Sequence, residues 1–191
     1  SMVGEPIPTR AEVTDVANAV FEQADAIMLS SETSVGQFPS MCVEAMDRIA
    51  RRMECEDAAR FYEEAVLSDE RQKLAKVAVQ MADDMGARAL VVFTVEGKMV
   101  PESAWMRPRE ANIMALCPSE RVAGEMSLYR GVVPIVMEEV HSELPAEEEV
   151  EAALETLKEK ALLKSGDTVV VISSHLAVGE IADSVQMHRV S

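Results

Sequence analysis

Cysteine and histidine are scarce in this sequence, and long apolar runs are missing. The three cysteines and three histidines among 191 residues show no spacing typical of a metal site. An odd number of cysteines fits a reducing compartment better than a disulfide framework, so we expect Cys42, Cys55 and Cys117 to be buried or half-buried thiols. No segment reaches the roughly 20 apolar residues of a transmembrane helix, and the amino terminus lacks the features of a secretory signal. These absences predict a soluble cytoplasmic protein with no metal site.

Positively charged residues are also few. Lysine and arginine number 18 against 34 aspartates and glutamates, which gives a formal net charge of -16. Such a chain repels phosphate backbones and anionic lipids, so we expect neither a nucleic acid nor a membrane as partner. The densest acidic run, residues 147–149, opens a predicted helix, where carboxylates favour the positive end of the helix dipole. We prefer that interpretation to a metal-binding cluster.

The first part of the chain, residues 1–55, has the pattern of a helix, a strand and a second helix. Thr9 and Glu12 stand in the positions of a capping box at the start of a helix predicted for Thr9–Gln23. A short apolar run, Ala26–Ser30, has strand length, and Pro39 suits the first turn of the next helix. The two amphipathic helices need a partner surface, so this segment is a piece of a larger α/β assembly.

From about residue 70, helices and apolar strands alternate, and we place a domain boundary between residues 55 and 56. Alternation of this kind predicts an α/β fold with a small, mostly parallel sheet flanked by helices. The last strand is expected to be an antiparallel edge, Trp105 to fill the gap between a short helix and the sheet, and Gly166 to terminate the longest helix. The predicted strands are Ala89–Thr94, Asn112–Cys117, Val132–Met137, Thr168–Ser173 and Val185–Val190, and the helices between them are Arg71–Met85, Pro101–Met106, Ser119–Tyr129 and Ala146–Lys164.

Two motifs near the start are the most specific signals in the chain. They read PTRAEVTDVANAV at residues 8–20 and ADAIMLSSET at residues 24–33. Both resemble the end of the catalytic barrel of pyruvate kinase. The order and length of the later elements resemble the C-terminal domain of the same family, with weaker motif identity over residues 70–191. The resemblance implies that residues 1–55 are the terminal helix-strand-helix remnant of a TIM barrel and that residues 56–191 are the family's C-terminal α/β domain.

The resemblance also implies a glycolytic function. Pyruvate kinase transfers phosphate from phosphoenolpyruvate to ADP, giving pyruvate and ATP, with Mg²⁺ and usually K⁺. In the family the essential lysine, the metal ligands and the nucleotide contacts come from earlier segments. We therefore expect this chain alone to be inactive and to bind neither ion, with the remainder of a pyruvate kinase chain and further copies in a homo-oligomer as partners. The alternative is a free-standing α/β ligand-binding or oligomerisation module without catalysis.

Two residues of the second motif are the catalytic candidates. Ser30 and Glu32 follow the predicted strand, where barrel enzymes place active-site groups. In the family this loop lies at the rim of the active site, and the resemblance implies that Ser30 belongs to a proton-relay route to the enol product. Ser31 stands where the family usually has glycine. The simpler interpretation is that Ser30 and Glu32 satisfy backbone groups at the turn.

A second candidate site lies in the α/β domain, which in many pyruvate kinases binds sugar phosphate activators and makes the enzyme allosteric. The resemblance assigns six positions to this effector pocket, in the loop after the first strand and in the turn before the last: Thr94, Glu96, Gly97, Lys98, Gly179 and Asp183. Glu96 and Asp183 would bring negative charge towards a bound phosphate. We therefore predict a degenerate or differently tuned pocket.

Overall fold

The chain forms two units in the computed structural model, Ser1–Glu63 and Glu64–Ser191. Their division lies further along the chain than the predicted boundary between residues 55 and 56. The structure describes residues 1–56, 58–94, 97–137, 146–177 and 180–191, without the side chains of 146, 174–177 and 180–182. Within these ranges, no helix is both long and apolar enough to cross a bilayer.

The first unit is built from helices, with bounds α1 Arg10–Phe21, α2 Ser31–Ser34 and α3 Pro39–Met53, followed by a 3₁₀ turn at Phe61–Glu63. The predicted capping box is present at the start of α1. The Glu12 N–H donates to Thr9 Oγ1 at 3.3 Å, and the Thr9 N–H donates to Glu12 Oε2 at 2.7 Å. Each side chain thus satisfies a backbone donor that the first helical turn leaves without a partner.

The strand predicted at Ala26–Ser30 does not form, so that prediction is wrong for this chain. Residues 24–30 belong to neither a helix nor a strand. A strand depends on hydrogen bonds to a neighbour, and the described residues of the first unit contain no other strand. The segment therefore has the composition of a strand, and the described residues of this unit offer it no strand to pair with.

The second unit carries the sheet. Its elements are α4 Glu70–Asp84, β1 Ala89–Phe93, α5 Met99–Trp105, β2 Asn112–Cys117, α6 Glu120–Met126, β3 Val132–Val136, α7 Ala146–Glu159, β4 Thr168–Ala177 and β5 Glu180–Arg189. The strand order is β3-β2-β1-β4-β5. The first four strands are parallel, and β5 pairs antiparallel with β4. This confirms the predicted α/β fold with a mostly parallel sheet and an antiparallel last strand.

Helix α7 packs its apolar stripe onto one face of the sheet. Val150 and Leu157 are buried in one cluster with Val91 of β1 and Val171 of β4. The helix ends at Glu159 rather than at Lys164, and Gly166 does not terminate it. The chain turns through Ala161, at φ 58°, so that the buried Leu163 joins the core. Burial of one leucine contributes about 2 kcal/mol, enough to favour an early end to the helix.

Two side-chain predictions also prove wrong. Trp105 is 41% exposed, whereas the adjacent Met106 is buried. Because α5 already turns Val100 and Ala104 inward, its helical period leaves Trp105 on the outer side. Cys55 is exposed, while Cys42 and Cys117 are buried as expected. No core surrounds Cys55 because it follows the end of α3.

Candidate functional site

The loop that carries Ser30 is organised around the backbone of that residue. The Ser30 N–H donates to Glu32 Oε2 at 2.9 Å. Its carbonyl oxygen accepts from Thr33 Oγ1 at 3.2 Å and from the N–H groups of Thr33 and Ser34 at 3.3 and 3.2 Å. Ser31 begins α2, without a left-handed backbone, so this position does not require glycine. The structure therefore brings Ser30 and Glu32 together, through backbone and carboxylate.

The side chain of Ser30 is exposed. Unlike the backbone groups of this residue, its hydroxyl makes no capping hydrogen bond to α2. A serine hydroxyl can donate one hydrogen bond and accept two, so it can pass a proton between a donor and an acceptor. Glu32 is half-buried beside it. The loop thus presents one hydroxyl next to one carboxylate.

Hydrogen bonding lowers the pKa of Glu32. The largest cause is its own backbone N–H, followed by the N–H of Ser30. The Ser1 amino group lowers the pKa further, and the nearby Glu12 carboxylate opposes that effect. Since both hydrogen bonds favour the ionised form, Glu32 is an anion at neutral pH and is poorly suited to donate a proton there.

A cavity of about 360 Å³ lies between α1, α3 and the 27–29 segment. Its walls are mainly apolar, with the carboxylates of Glu12, Asp15 and Glu32 among the lining side chains, and Ser30 does not line it. Across the described residues, no group of three or more histidine, cysteine, aspartate or glutamate side chains could hold a metal ion. The cavity is thus an apolar recess bordered by three carboxylates.

The effector-pocket positions begin directly after β1. Thr94 is buried, and its N–H donates to the Leu116 carbonyl oxygen at 3.2 Å. Gly97 has φ +76°, a conformation that favours glycine, and a Cβ there would lie 2.7 Å from Cε at the flexible end of the Met126 side chain. Lys98 is exposed at the start of α5. Glu96 lies outside the described residues.

Asp183, a further effector-pocket position, lies in β5, is exposed and pairs in register with Ser174. Gly179 lies outside the described residues. The pKa of Arg71 in α4 is raised, first by Asp69 and also by Glu102 and Asp183.

Strand order explains why these loops form a candidate site. The chain leaves β1 towards β2 and β3, then returns to β4 on the other side of β1. In open parallel sheets, ligands bind outside the carboxyl ends of the strands where the order reverses in this way. The loop after β1 meets that description, and it carries Thr94, Gly97 and Lys98. Strand β4 continues past Ile172, its last partner of β1, to Ala177.

Two serines that the sequence did not single out add polar groups near this edge. Ser173 Oγ and Ser184 Oγ lie 3.0 Å apart, and Ser173 is 3% exposed. Gln186 Nε2 donates to Ser184 Oγ at 3.4 Å, and His188 Nε2 lies 2.9 Å from Gln186 Oε1. The contact between Ser173 and Ser184 depends on the register of β4 against β5. The alternation of Ser184, Gln186 and His188 is the signal that could have predicted the polar row on β5.

Two protein-family models match this chain, one within each of its two units. Residues 72–186 match the family model described as "Pyruvate kinase, alpha/beta domain". Residues 1–43 match "Pyruvate kinase, barrel domain". The barrel match covers α1 and the Ser30 loop, and the α/β match covers the sheet.

Individual relatives support the same assignment. The pyruvate kinase of Thermotoga maritima is 33% identical over 91% of this chain and 36% of its own length. Pyruvate kinase isozyme G of the Ricinus communis chloroplast is 37% identical, over 91% of this chain and 41% of its own. A crystal structure of a Cryptosporidium parvum pyruvate kinase superposes with a TM-score of 0.83 at 30% identity, covering 100% of this chain and 38% of that one. The chain spans less than half the length of these relatives, and the match of its sheet domain shows that it belongs to the pyruvate kinase family.

Proposed function

We propose that this chain is the carboxy-terminal part of a pyruvate kinase, which transfers phosphate from phosphoenolpyruvate to ADP in glycolysis. The main support is the succession of a barrel-end segment, matched over residues 1–43, and the α/β domain, matched over residues 72–186, in one chain. In this proposal the Ser30 hydroxyl takes part in proton delivery to the enol product. In this proposal Mg²⁺ and K⁺ are held by other parts of the enzyme.

A chimera tests this proposal directly. The chain alone should show no turnover of phosphoenolpyruvate and ADP with Mg²⁺ and K⁺. Joined to the preceding part of the Thermotoga maritima enzyme at the matching barrel motif, it should restore turnover. Ser30→Ala in the chimera should lower kcat by about 100-fold if the hydroxyl relays a proton, whereas the neighbouring Ser34→Ala serves as matched control. Turnover by the chain alone, or a folded chimera without turnover, would contradict the proposal.

We propose that the second unit is a regulatory domain whose effector is not a sugar bisphosphate. Glu96 lies in the effector loop, and a carboxylate 8 Å from a phosphate charge costs about 2 kcal/mol at an effective dielectric near 20. The Asp183 carboxylate in β5 adds a second negative charge. Lys98, which is exposed at the start of α5, would serve a smaller anion.

Calorimetric titration measures this preference. Fructose 1,6-bisphosphate should show no binding below millimolar concentration, and it should not activate the chimera. The matched variant Glu96→Ser, which restores a hydroxyl, should strengthen binding. Saturable micromolar binding by the unmodified chain, lost in Lys98→Ala, would show that the pocket accepts sugar bisphosphates despite its acidic residue.

We propose that this chain assembles with further copies of itself into a homo-oligomer. Strand β5 has ten residues and pairs only with β4 among the described strands. Its exposed residues include Asp183 towards one end and Arg189 at the other. Antiparallel pairing of two β5 strands around Gln186 would set each Asp183 opposite an Arg189 and each Val185 opposite a Met187. Opposite charges and apolar pairs across strands are both favourable.

Cross-linking tests that register. In a Cys55→Ser background, which removes the exposed thiol, Gln186→Cys should form a disulfide dimer under mild oxidation. Paired residues on antiparallel strands have Cα atoms about 5 Å apart, within disulfide range. Glu125→Cys on α6 is the matched control and should stay monomeric on denaturing gels. A monomeric mass by light scattering, with no cross-link, would contradict assembly through β5.

The oligomerisation module without catalysis is the second candidate function, and the free edge of β5 is the observation that favours it. An inactive chimera together with a cross-linked β5 dimer would support it over the enzyme. We also propose a cytoplasmic location, which imaging of the tagged full-length gene product would test.

A further inference from the structure

Both backbone polar groups of Ser30 are occupied by the two residues that follow Ser31. Glu32 Oε2 accepts the Ser30 N–H at 2.9 Å. Thr33 donates to the Ser30 carbonyl oxygen twice, from its hydroxyl at 3.2 Å and from its N–H at 3.3 Å. These contacts fix the peptide groups on either side of the Ser30 side chain. Its hydroxyl is the group of this residue that is left for a ligand.

Gly36 approaches the backbone of Glu32 closely. A Cβ at Gly36 would lie 2.3 Å from the Glu32 carbonyl oxygen, so the chain can return across Glu32 only with glycine there. The carboxylate accepts the Ser30 N–H at its Oε2, and hydrogen bonding to backbone N–H groups lowers its pKa. The other charged groups acting on it are the Ser1 amino group and Glu12.

We propose that Glu32 and Thr33 are positioning residues for Ser30, and that Glu32 takes no part in proton transfer itself. This assignment rests on the proposed function, in which the Ser30 hydroxyl meets the substrate. The carboxylate oxygen that accepts the Ser30 N–H has one lone pair fewer with which to act as a base. Holding a peptide needs only an acceptor at the right place, and this separates the two roles experimentally.

The comparison of Glu32→Gln with Glu32→Ala makes that separation. Glutamine keeps an acceptor oxygen but cannot exchange a proton, whereas alanine removes both. In the active chimera, positioning predicts that Gln retains most of the turnover, that Ala loses about tenfold or more in kcat, and that both keep the wild-type pH profile. Equal losses in Gln and Ala, with one limb of the pH profile missing, would overturn the proposal.

Substitutions of Thr33 test the assignment independently of Glu32. Thr33→Ser keeps the hydroxyl and should preserve turnover, whereas Thr33→Val, of similar size, should lower kcat with little change in KM. Exposed Thr14, whose hydroxyl donates to the Arg10 carbonyl oxygen within α1, gives the matched control Thr14→Val. Equal turnover in Thr33→Val and wild type would remove Thr33 from the assignment.

A spectroscopic measurement on the 191-residue chain needs no activity. Hydrogen exchange of the Ser30 amide, followed by NMR, should accelerate about tenfold in Glu32→Ala and less in Glu32→Gln. Glu44→Ala on α3 should leave it unchanged. If Ser30 exchanges equally fast in all variants, the proposal is wrong even where the chimera is active. If the exchange result holds and the chimera is inactive, the proposed function fails and the loop geometry stands.

Discussion

The two units of this chain bury their apolar residues to very different extents. The second unit encloses whole strands, and all five residues of β1 are buried. In the first unit, the buried apolar side chains among the described residues are Met2, Val20, Cys42 and Ala45. Larger side chains there stay in solvent, with Met28 86% and Ile7 72% exposed. A domain that folds for itself covers such residues, so the first unit has the surface of a piece taken from a larger domain.

The contrast extends to hydrogen bonding. Each strand of the second unit finds its partners within the same chain. The 24–30 segment of the first unit has strand composition and no strand to pair with. Segments of strand-forming composition therefore make a sheet in the second unit and stay unpaired in the first. The difference is whether the same unit also supplies neighbouring strands.

Separating the units should give the largest effect. We expect residues 64–191 alone to unfold in one cooperative thermal transition, and residues 1–63 alone to show none. The second unit has a core of its own, while the first leaves its apolar helix faces open. Circular dichroism on the two fragments measures this. A cooperative transition in the 1–63 fragment would break the comparison.

Core truncation should give the next largest effect. Leu157→Ala removes a fully buried side chain from the α7 cluster and should lower the free energy of unfolding by about 3 kcal/mol. The matched control Leu128→Ala, at a side chain 65% exposed, should cost less than about 0.5 kcal/mol. Urea titration gives both values. Similar losses would mean that the α7 cluster does not dominate the stability of the second unit.

Two glycines of the second unit give an intermediate effect. Gly97→Ala should destabilise the second unit by about 1–3 kcal/mol, because the position has φ +76° and a Cβ would meet Met126. Gly124→Ala lies within α6 with no atom within 4 Å of the added Cβ, and it should stabilise by up to about 1 kcal/mol. Equal effects by thermal denaturation would show that the effector loop yields to the added methyl group.

The smallest effect tests where the stable unit begins. Asp69 caps α4, and its pKa is lowered from 3.8, first by the side chain of Arg71 and then by the Arg71 N–H. A lowered pKa means that ionised Asp69 adds stability above pH 3.8 and loses that contribution as pH falls through the folded-state value. Asp69→Asn should therefore reduce stability at pH 7 and converge with wild type in acid.

The hydroxyl cap Ser119→Ala at α6 should instead cost the same at both pH values, since it carries no charge. Denaturant midpoints at pH 7 and in acid compare the two caps. If Asp69→Asn has no effect at pH 7, the cooperative unit begins after the first turn of α4.

The sequence predicted those elements whose partners it also contains. The strand at Asn112–Cys117 matches to the residue, and the capping box of Thr9 and Glu12 has the expected form. The strand predicted at Ala26–Ser30 does not form because strand pairing depends on neighbouring strands as well as on the local sequence. The exposure of Trp105 followed from which neighbours α5 turned inward, and periodicity over seven residues is too short to decide that.

The candidate sites were predictable in residue type but not in geometry. The motif singled out Ser30 and Glu32, yet the hydrogen bond between the Glu32 carboxylate and the Ser30 N–H depends on how the turn closes. The close approach of Gly36 to Glu32 is likewise a product of the folded turn. The Ser173–Ser184 contact required the register of two strands, which no local pattern fixes.

That register has a consequence for how this hairpin can vary in length. Strand β4 pairs with β1 only as far as Ile172, yet its pairing with β5 continues to Ala177. Beyond Ile172, β4 and β5 pair with each other alone among the strands that the structure describes. Because side chains alternate between faces, inserting or deleting residues in twos on both strands would keep Ser184 on the same face as Ser173. A change by one residue in either strand would turn the hairpin's polar row to the opposite face, so related hairpins should differ in length by even steps.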